Sequence, residues 1–525
     1  MMKKIKGSLR RKGNSMGIKL TLLIVFFAVM VGVGLYSRKH TASVDGFVLG
    51  GRSVGPWLTA FAYGTSYFSA VVFVGYAGQF GWKYGIASTW IGIGNAVIGS
   101  LMAWVVLGRR TKVMTQHLGC KTMPDFFGER YGSKVLKIMA SAIVFVFLVP
   151  YTASIYNGLS RLFEMAFHIP YAYCVAGMAV FTGIYVILGG YMATAINDFI
   201  QGIIMLIGIV AVIAAVLSGQ GGFLEAIRKM AEIPSDLPVT MGQPGAFTSF
   251  FGPDPWNLFG VIILTSLGTW GLPQMIGKFY AIKDEKSINT GTVISTLFAC
   301  VVAGGSYFLG GFGRLFDSSE IYDETGSVVF DSIVPHMLSS LPDLLIGIVV
   351  VLVLSASMST LASLVLTSSS TLTLDFLKDN VMKNMSEKKQ ICWMQFLVVF
   401  FIGLSVWIAL DPSTFIAQLM GISWGALAGA FLAPFLYGLY WKRVTKAAVW
   451  ASFITGVGIT VSNLFLYYIA SPINAGAVAM IAGLVVVPLV SIITPKPEAK
   501  TVEQIFACYE ETVTITKKRS LEAER

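Results

Sequence analysis

Apolar stretches of about twenty residues, separated by short polar connections rich in lysine and arginine, run along nearly the whole chain. A helix needs about 20 mostly apolar residues to cross roughly 30 Å of hydrocarbon. By that measure thirteen helices are predicted, at 17–37, 56–80, 84–108, 134–166, 170–190, 196–218, 255–281, 289–316, 342–375, 390–410, 413–440, 446–469 and 471–494. Several are too long for one straight crossing, so tilting or breaks are expected. The period-two alternation of a membrane barrel is absent. The pattern predicts an all-α polytopic membrane protein.

Composition agrees. Only 12% of the 525 residues are Asp, Glu, Lys or Arg, against about 25% in ordinary globular chains. The 55 glycines suit close helix packing in lipid. Five scattered cysteines with no CxxC argue against a disulfide framework or a zinc site, and four histidines share no ligand spacing. The net charge of +11 points to loops beside anionic lipid rather than to nucleic acid. No cleavable signal peptide is expected, because the first apolar run lacks a small-residue cleavage site.

The basic residues orient the spans. With the N-terminus outside, the inner connections and C-terminal tail carry 26 lysines and arginines, from Arg38, Lys39 and Arg52 through Lys112, Arg130, Lys137, Lys278 and Lys283 to Arg525. The outer connections carry five: Lys83, Arg161, Arg228, Lys229 and Arg314. The expectation is a plasma-membrane protein that starts outside and ends in the cytoplasm. The basic tail 1–16 runs against this rule, so translation from Met16 is one expectation and outvoting by later loops the other. The domain reading is a tail at 1–16, a transmembrane domain at 17–494 and a cytoplasmic tail at 495–525 with a short helix near Thr501–Thr512. The polar stretches 219–254 and 317–341 are too short for soluble domains.

Four segments place polar groups inside spans, where they are costly and call for a functional explanation. The second span begins Gly50-Gly51-Arg52-Ser53-Val54-Gly55-Pro56 and continues through Tyr63-Gly64-Thr65-Ser66-Tyr67-Phe68-Ser69. Its glycines and hydroxyls allow unwinding that exposes backbone carbonyls, or simply close packing through small residues. In the ninth span, Ala356, Ser359 and Thr360 are spaced i, i+3, i+4 and share one face. Two hydroxyls and a carbonyl are hard oxygen donors suited to an alkali cation, although hydroxyls bonded back to the preceding turn would explain them equally. Asp198 stands near the start of the sixth span, as a helix-capping acid or on a cation exit route. Finally, Thr265-Ser266-Leu267-Gly268-Thr269-Trp270-Gly271-Leu272-Pro273-Gln274 predicts a broken helix. Two interrupted spans five apart are the pattern of an inverted-repeat transporter with a midplane site.

At these residues the chain resembles the sodium:solute symporter family. The similarity runs from about 17 to 445 and is carried by LGGRS-x-G at 49–55, GGYMA-x4-D-x2-Q at 189–201, GLP at 271–273 and SMST at 357–360. The resemblance implies a leucine-transporter-type core of two five-helix inverted repeats, about 56–218 and 255–440. It implies a sodium site of the Thr65, Phe68 and Ala356 carbonyls with the Ser359 and Thr360 hydroxyls, and a sodium-pathway role for Asp198. Arg52 matches the basic residue at the inner start of the second span and takes a gating or structural role, as do Gly268, Gly271 and Pro273 in the seventh. Tyr63, Ser66, Ser69, Thr269, Trp270 and Gln274 surround the expected solute cavity. Tyr67, where proline carriers of the family have Asp, and Thr265 and Thr269, where they have an aromatic pair, count against proline. The segments Ala281–Lys286 and Ala195–Asp198 lean toward the pantothenate branch, and no basic residue is placed at the cavity.

The expected function is sodium-coupled import of a small carboxylate or amino-acid-like solute by alternating access. Proton coupling through Asp198, a sugar or other solute, and a solute-sensing transceptor are the alternatives. No His/Asp/Glu cluster supports an enzyme, and the broken helix pair weighs against a channel. Sodium, the solute and the bilayer are the expected partners.

Overall fold

In the computed structural model, residues 2–167, 169–410 and 416–509 are described. Among them there is no β-sheet, only isolated bridges between Val54 and Ile282 and between Tyr322 and Val328. Among the described residues, eleven helical stretches are long and apolar enough to cross a membrane. Two of them, Val71–His117 with 47 residues and Tyr171–Gly219 with 49, would each extend about 70 Å if straight, more than twice one hydrocarbon crossing.

Both stretches turn at glycine. Gly190 has φ 53° and ψ −149°, a region closed to side-chain-bearing residues. A Cβ there would also lie 2.9 Å from the Phe47 carbonyl oxygen. Gly85, with φ 59° and ψ −139°, plays the same part between the helix Ala77–Tyr84 and the one that starts at Thr89. Helix starts follow local chemistry. Pro56, Pro255 and Pro273 stand in the first turns of their helices, where a missing N–H costs nothing. Asp254, Asp284 and Thr445 accept backbone N–H bonds from Asn257, Ser287 and Ala448 at 3.2, 2.8 and 3.2 Å.

The two ends of the bundle differ. At one end, here the tail face, the helices Arg109–His117 and Ile416–Tyr440 meet the segment Ala499–Tyr509. The Arg110 guanidinium lies over the Tyr440 and Tyr509 rings at 4.1 and 4.5 Å, and the Tyr509 hydroxyl donates to the Arg110 carbonyl at 3.0 Å. The expected tail helix thus begins at Ala499, and residues 510–512 lie outside the described residues. At the opposite end, the loop face, Arg314 donates to the Trp82 carbonyl at 2.7 Å and pairs with Asp236 at 2.6 Å. The helix Phe330–Ser339, from the polar stretch 317–341, packs over Ala77–Tyr84 there, so the loop face is covered.

Candidate functional site

Two helices break near the centre of the bundle. The first, Pro56–Tyr67, stops at Phe68 (φ −89°, ψ 117°) and resumes as a π-helical turn, Val71–Tyr76. The second, Pro255–Leu267, passes through a tight turn at Gly268–Trp270, and Leu272 (ψ 121°) leads into Pro273–Ala281. Carbonyls at the end of a helix lack their usual i+4 amide partners. At the first break, those of Thr65 and Phe68 point at the unbroken helix Asp343–Thr371.

What they meet is Ser359 and Thr360. The Ser359 hydroxyl lies 2.9 Å from the Thr65 carbonyl oxygen and 3.1 Å from that of Ala356. The Thr360 hydroxyl lies 3.1 Å from Thr65 O, 3.2 Å from Phe68 O and 3.1 Å from Ala356 O. Each hydroxyl has one proton to donate, so two protons serve five oxygen–oxygen contacts. The surplus lone pairs all come from hard, buried oxygens, the donor type that suits an alkali cation.

A second polar cluster adjoins the first. Asp198 is fully buried, eight residues past the turn at Gly190, so it is not a helix cap. Its carboxylate is 3.8 Å from the ammonium of Lys278, itself only 3% exposed. Lys278 donates to the Ser363 hydroxyl at 3.0 Å, and the Ser363 and Ser66 hydroxyls are 2.9 Å apart. Ser66 follows Thr65 in the chain. A polar chain therefore runs from Asp198 to the oxygen cluster. Beside it is a cleft with about 40 Å³ of open space, lined among others by Tyr191, Gln274, Lys278, Ser363 and Thr367. That admits a few water molecules but no organic solute.

Lys278 corrects the sequence reading, which counted it among inner loops and left the cavity without a basic group. It lies in the half-helix after the second break, one turn beyond Gln274. The signal was present: a lysine flanked by Met275, Ile276, Phe279 and Tyr280 stands in an apolar run rather than a loop. Lys112 and Arg130, also assigned to loops, are likewise buried. Asp375 was not singled out. It is buried, accepts from Thr122 at 2.6 Å and lies 3.6 Å from Lys137.

The residues expected around the solute converge less simply. The Tyr63 and Thr269 hydroxyls both donate to the Gly99 carbonyl, at 2.9 and 3.0 Å, and the Trp270 indole donates to Ile98 O at 2.9 Å. These three therefore tie both breaks to one helix. Ser69 accepts from the Val71 amide at 3.2 Å. Gln274 is buried with both amide atoms unpartnered, which leaves it the most available of the set. The side chain of Tyr67 lies outside the described residues. Gly268 and Gly271 allow the second break to seat on Ile416–Tyr440, since Cβ atoms there would approach Trp424 Cε3 and Ala428 Cα to 2.7 Å each. Gly271→Ala is expected to cost about 1–3 kcal/mol through overpacking, read as a lowered unfolding temperature of the purified protein.

Arg52 ties backbone segments together near the tail face. Its guanidinium donates to the carbonyls of Cys120 and of Tyr280, the latter at 3.5 Å. The backbone of Val54 pairs on both sides with Ala281 and Lys283, at 3.3 and 3.0 Å. The start of the first broken helix is thereby fastened to the end of the second. Burial, with Asp125 nearby, raises the Cys120 thiol well above its ordinary range, so maleimide should label it slowly. Arg52→Ala removes a charge-assisted tie worth about 1.5–3 kcal/mol. Cys120 labelling is expected to accelerate roughly 10-fold or more, and an unchanged rate would show that Arg52 does not hold these segments together.

Comparison with known proteins agrees with this architecture. Residues 47–456 match the sodium:solute symporter family. The chain is 30% identical over 456 residues to sodium/proline symporter 2 of Staphylococcus saprophyticus, with 84% of each chain covered. It is 30% identical over 492 residues to the sodium/proline symporter of Staphylococcus aureus, covering 90% of this chain and 92% of that one. Its fold is similar to that of a Na+-coupled sialic acid symporter in a substrate-bound outward-open state, with a TM-score of 0.76, 14% identity, and 92% and 98% of the two chains covered. A nucleobase-cation-symport-1 family transporter in a closed conformation gives 0.51, at 12% identity and 87% and 97% coverage. The chain belongs to the sodium:solute symporter family. It is a multi-pass membrane transporter of the leucine-transporter type, not an enzyme, and sodium is its coupling ion.

Proposed function

We propose that this symporter imports a small amino-acid-like or carboxylate solute, with sodium held by the carbonyls of Thr65, Phe68 and Ala356 and the hydroxyls of Ser359 and Thr360. The observation that carries the assignment is the surplus of buried oxygen lone pairs where the first break meets Ser359 and Thr360. Asp198 lies on the sodium route toward the tail face. Ser66, Ser69, Tyr63, Thr269, Trp270 and Gln274 border the solute cavity, Gln274 as a direct ligand. Arg52 gates the tail face, while Gly268, Gly271 and Pro273 shape the second break. The transport domain spans 17–494, with the tail face cytoplasmic and the N-terminus outside. Reading the 47- and 49-residue stretches as two crossings each gives thirteen spans.

Sodium at the first break joins it to Asp343–Thr371 and organises the adjacent cavity; closure of the loop face and opening of the tail face then release both. One sodium ion crossing 100 mV is worth about 2.3 kcal/mol. At about 1.4 kcal/mol per decade this supports roughly 50-fold accumulation of a neutral solute.

The full-length relatives bear the sodium/proline name, which supports an amino-acid-like solute over pantothenate, a leaning that rests on two short segments. Thr265 and Thr269 in the second broken helix argue for a solute other than proline itself. Purified protein in liposomes, offered labelled proline, other amino acids, short carboxylates, pantothenate and sugars, tests the proposal. Accumulation of an amino acid or carboxylate under a sodium gradient, but not with potassium at the same pH, is expected. Sodium-driven accumulation of sugars alone would overturn the solute class.

A further inference from the structure

The Asp198–Lys278 pair raises a question that the sodium site does not answer. A transporter that binds a cation in its interior has no evident need to bury a second, permanent one beside it. Yet Lys278 is buried on the half-helix Pro273–Ala281, and the polar chain from its ammonium through Ser363 and Ser66 ends one residue from the Thr65 carbonyl.

We propose that the Lys278 ammonium is a built-in cation, standing where a second sodium ion would otherwise bind, so that the chain holds one exchangeable sodium rather than two. The donors around it carry the argument. Asp198 offers a carboxylate with both oxygens buried and free of hydrogen bonds, and Ser363 offers its hydroxyl oxygen at 3.0 Å from the lysine nitrogen. Carboxylate and hydroxyl are the hard oxygens that coordinate alkali cations, and the ammonium supplies the same groups with a fixed positive charge, through a hydrogen bond to Ser363 and an ion pair 3.8 Å from Asp198. A buried carboxylate demands a positive partner. Without the lysine, the cation most available to supply it in a sodium-driven transporter is sodium.

A role as the solute's carboxylate anchor fits less well, because Asp198 already neutralises the ammonium and the Tyr191 ring stands 5.1 Å from it. The tether also adds a coupling element. The ammonium travels with the second broken helix whereas Asp198 sits on Tyr171–Gly219, so any shift of the half-helix changes the charge balance beside the exchangeable ion.

This inference rests on the assignment of the exchangeable sodium to Ser359 and Thr360, and the test separates the two. Equilibrium binding of radioactive sodium to the purified full-length protein, without solute, counts the ions per chain. One ion is expected for wild type and for Lys278→Arg, and two for Lys278→Gln or Lys278→Met. The Asp198→Asn/Lys278→Gln double variant should return the count to one. Ser359→Ala/Thr360→Ala should lose the wild-type ion, while the same pair added to Lys278→Gln should keep the ion at Asp198. Two ions in wild type would overturn the proposal, as would one ion in a monodisperse Lys278→Gln or Lys278→Met protein; the wild-type count decides even where neither variant folds. If Ser359→Ala/Thr360→Ala keeps its ion while Lys278→Gln gains one, the hydroxyl assignment fails and the lysine proposal stands.

Discussion

Thr360→Ala is expected to raise the sodium concentration for half-maximal uptake by about 10- to 100-fold while leaving the protein folded. The Thr360 hydroxyl is the point where the carbonyls of Thr65, Phe68 and Ala356 come together. A polar contact to a charged group is worth about 1.5–3 kcal/mol, and about 1.4 kcal/mol is one decade of affinity. Ser359→Ala, which removes contacts to two carbonyls rather than three, should shift the same curve in the same direction by less. Folding should suffer little, because a neutral hydroxyl–carbonyl hydrogen bond contributes a net of only about 1 kcal/mol. Thr360→Ser keeps the oxygen and is expected to stay within a few-fold of wild type. Sodium-activation curves measured in liposomes check all three, and unchanged curves for both alanine variants would remove this site.

Asp198→Ala is expected to be the most damaging single substitution. It leaves the Lys278 ammonium buried without its ion-pair partner, hydrogen-bonded to Ser363. Removing one member of a buried ion pair typically costs about 3–5 kcal/mol, a large part of the about 5–15 kcal/mol that separates folded from unfolded in ordinary domains. The expected result is a sharply lower yield of monodisperse protein and loss of uptake. Asp198→Ala combined with Lys278→Met removes both charges and should recover most of the thermal stability, since an apolar replacement of a buried pair is often neutral. Equal stability of the single and double variants would show that the two charges do not depend on each other.

Much of this was legible in the residues. Long apolar runs fixed the helical, membrane-spanning class, and Gly-Leu-Pro and the hydroxyl-rich segment 63–69 marked both breaks, because such residues interrupt helices for local reasons. The face shared by Ala356, Ser359 and Thr360 followed from helical spacing alone. For Lys278 the apolar flanks show a place inside a helix, but nothing local shows what neutralises it. Its partner Asp198 lies 80 positions away in the chain, and only packing brings them together. Similarly, nothing local signals that Tyr63, Thr269 and Trp270 spend their donors on the carbonyls of Ile98 and Gly99.

The central claim is that sodium binds where the first break meets Ser359 and Thr360. Thermal unfolding of the purified protein, in sodium chloride and in potassium chloride at equal ionic strength, tests it without knowledge of the solute. A ligand present at 100 times its dissociation constant stabilises the folded state by about 2.7 kcal/mol. Sodium is therefore predicted to raise the unfolding temperature of wild type by several degrees over potassium, and the difference should vanish in Ser359→Ala/Thr360→Ala. Equal temperatures in the two salts, or a sodium increment that survives in the double variant, would contradict the account.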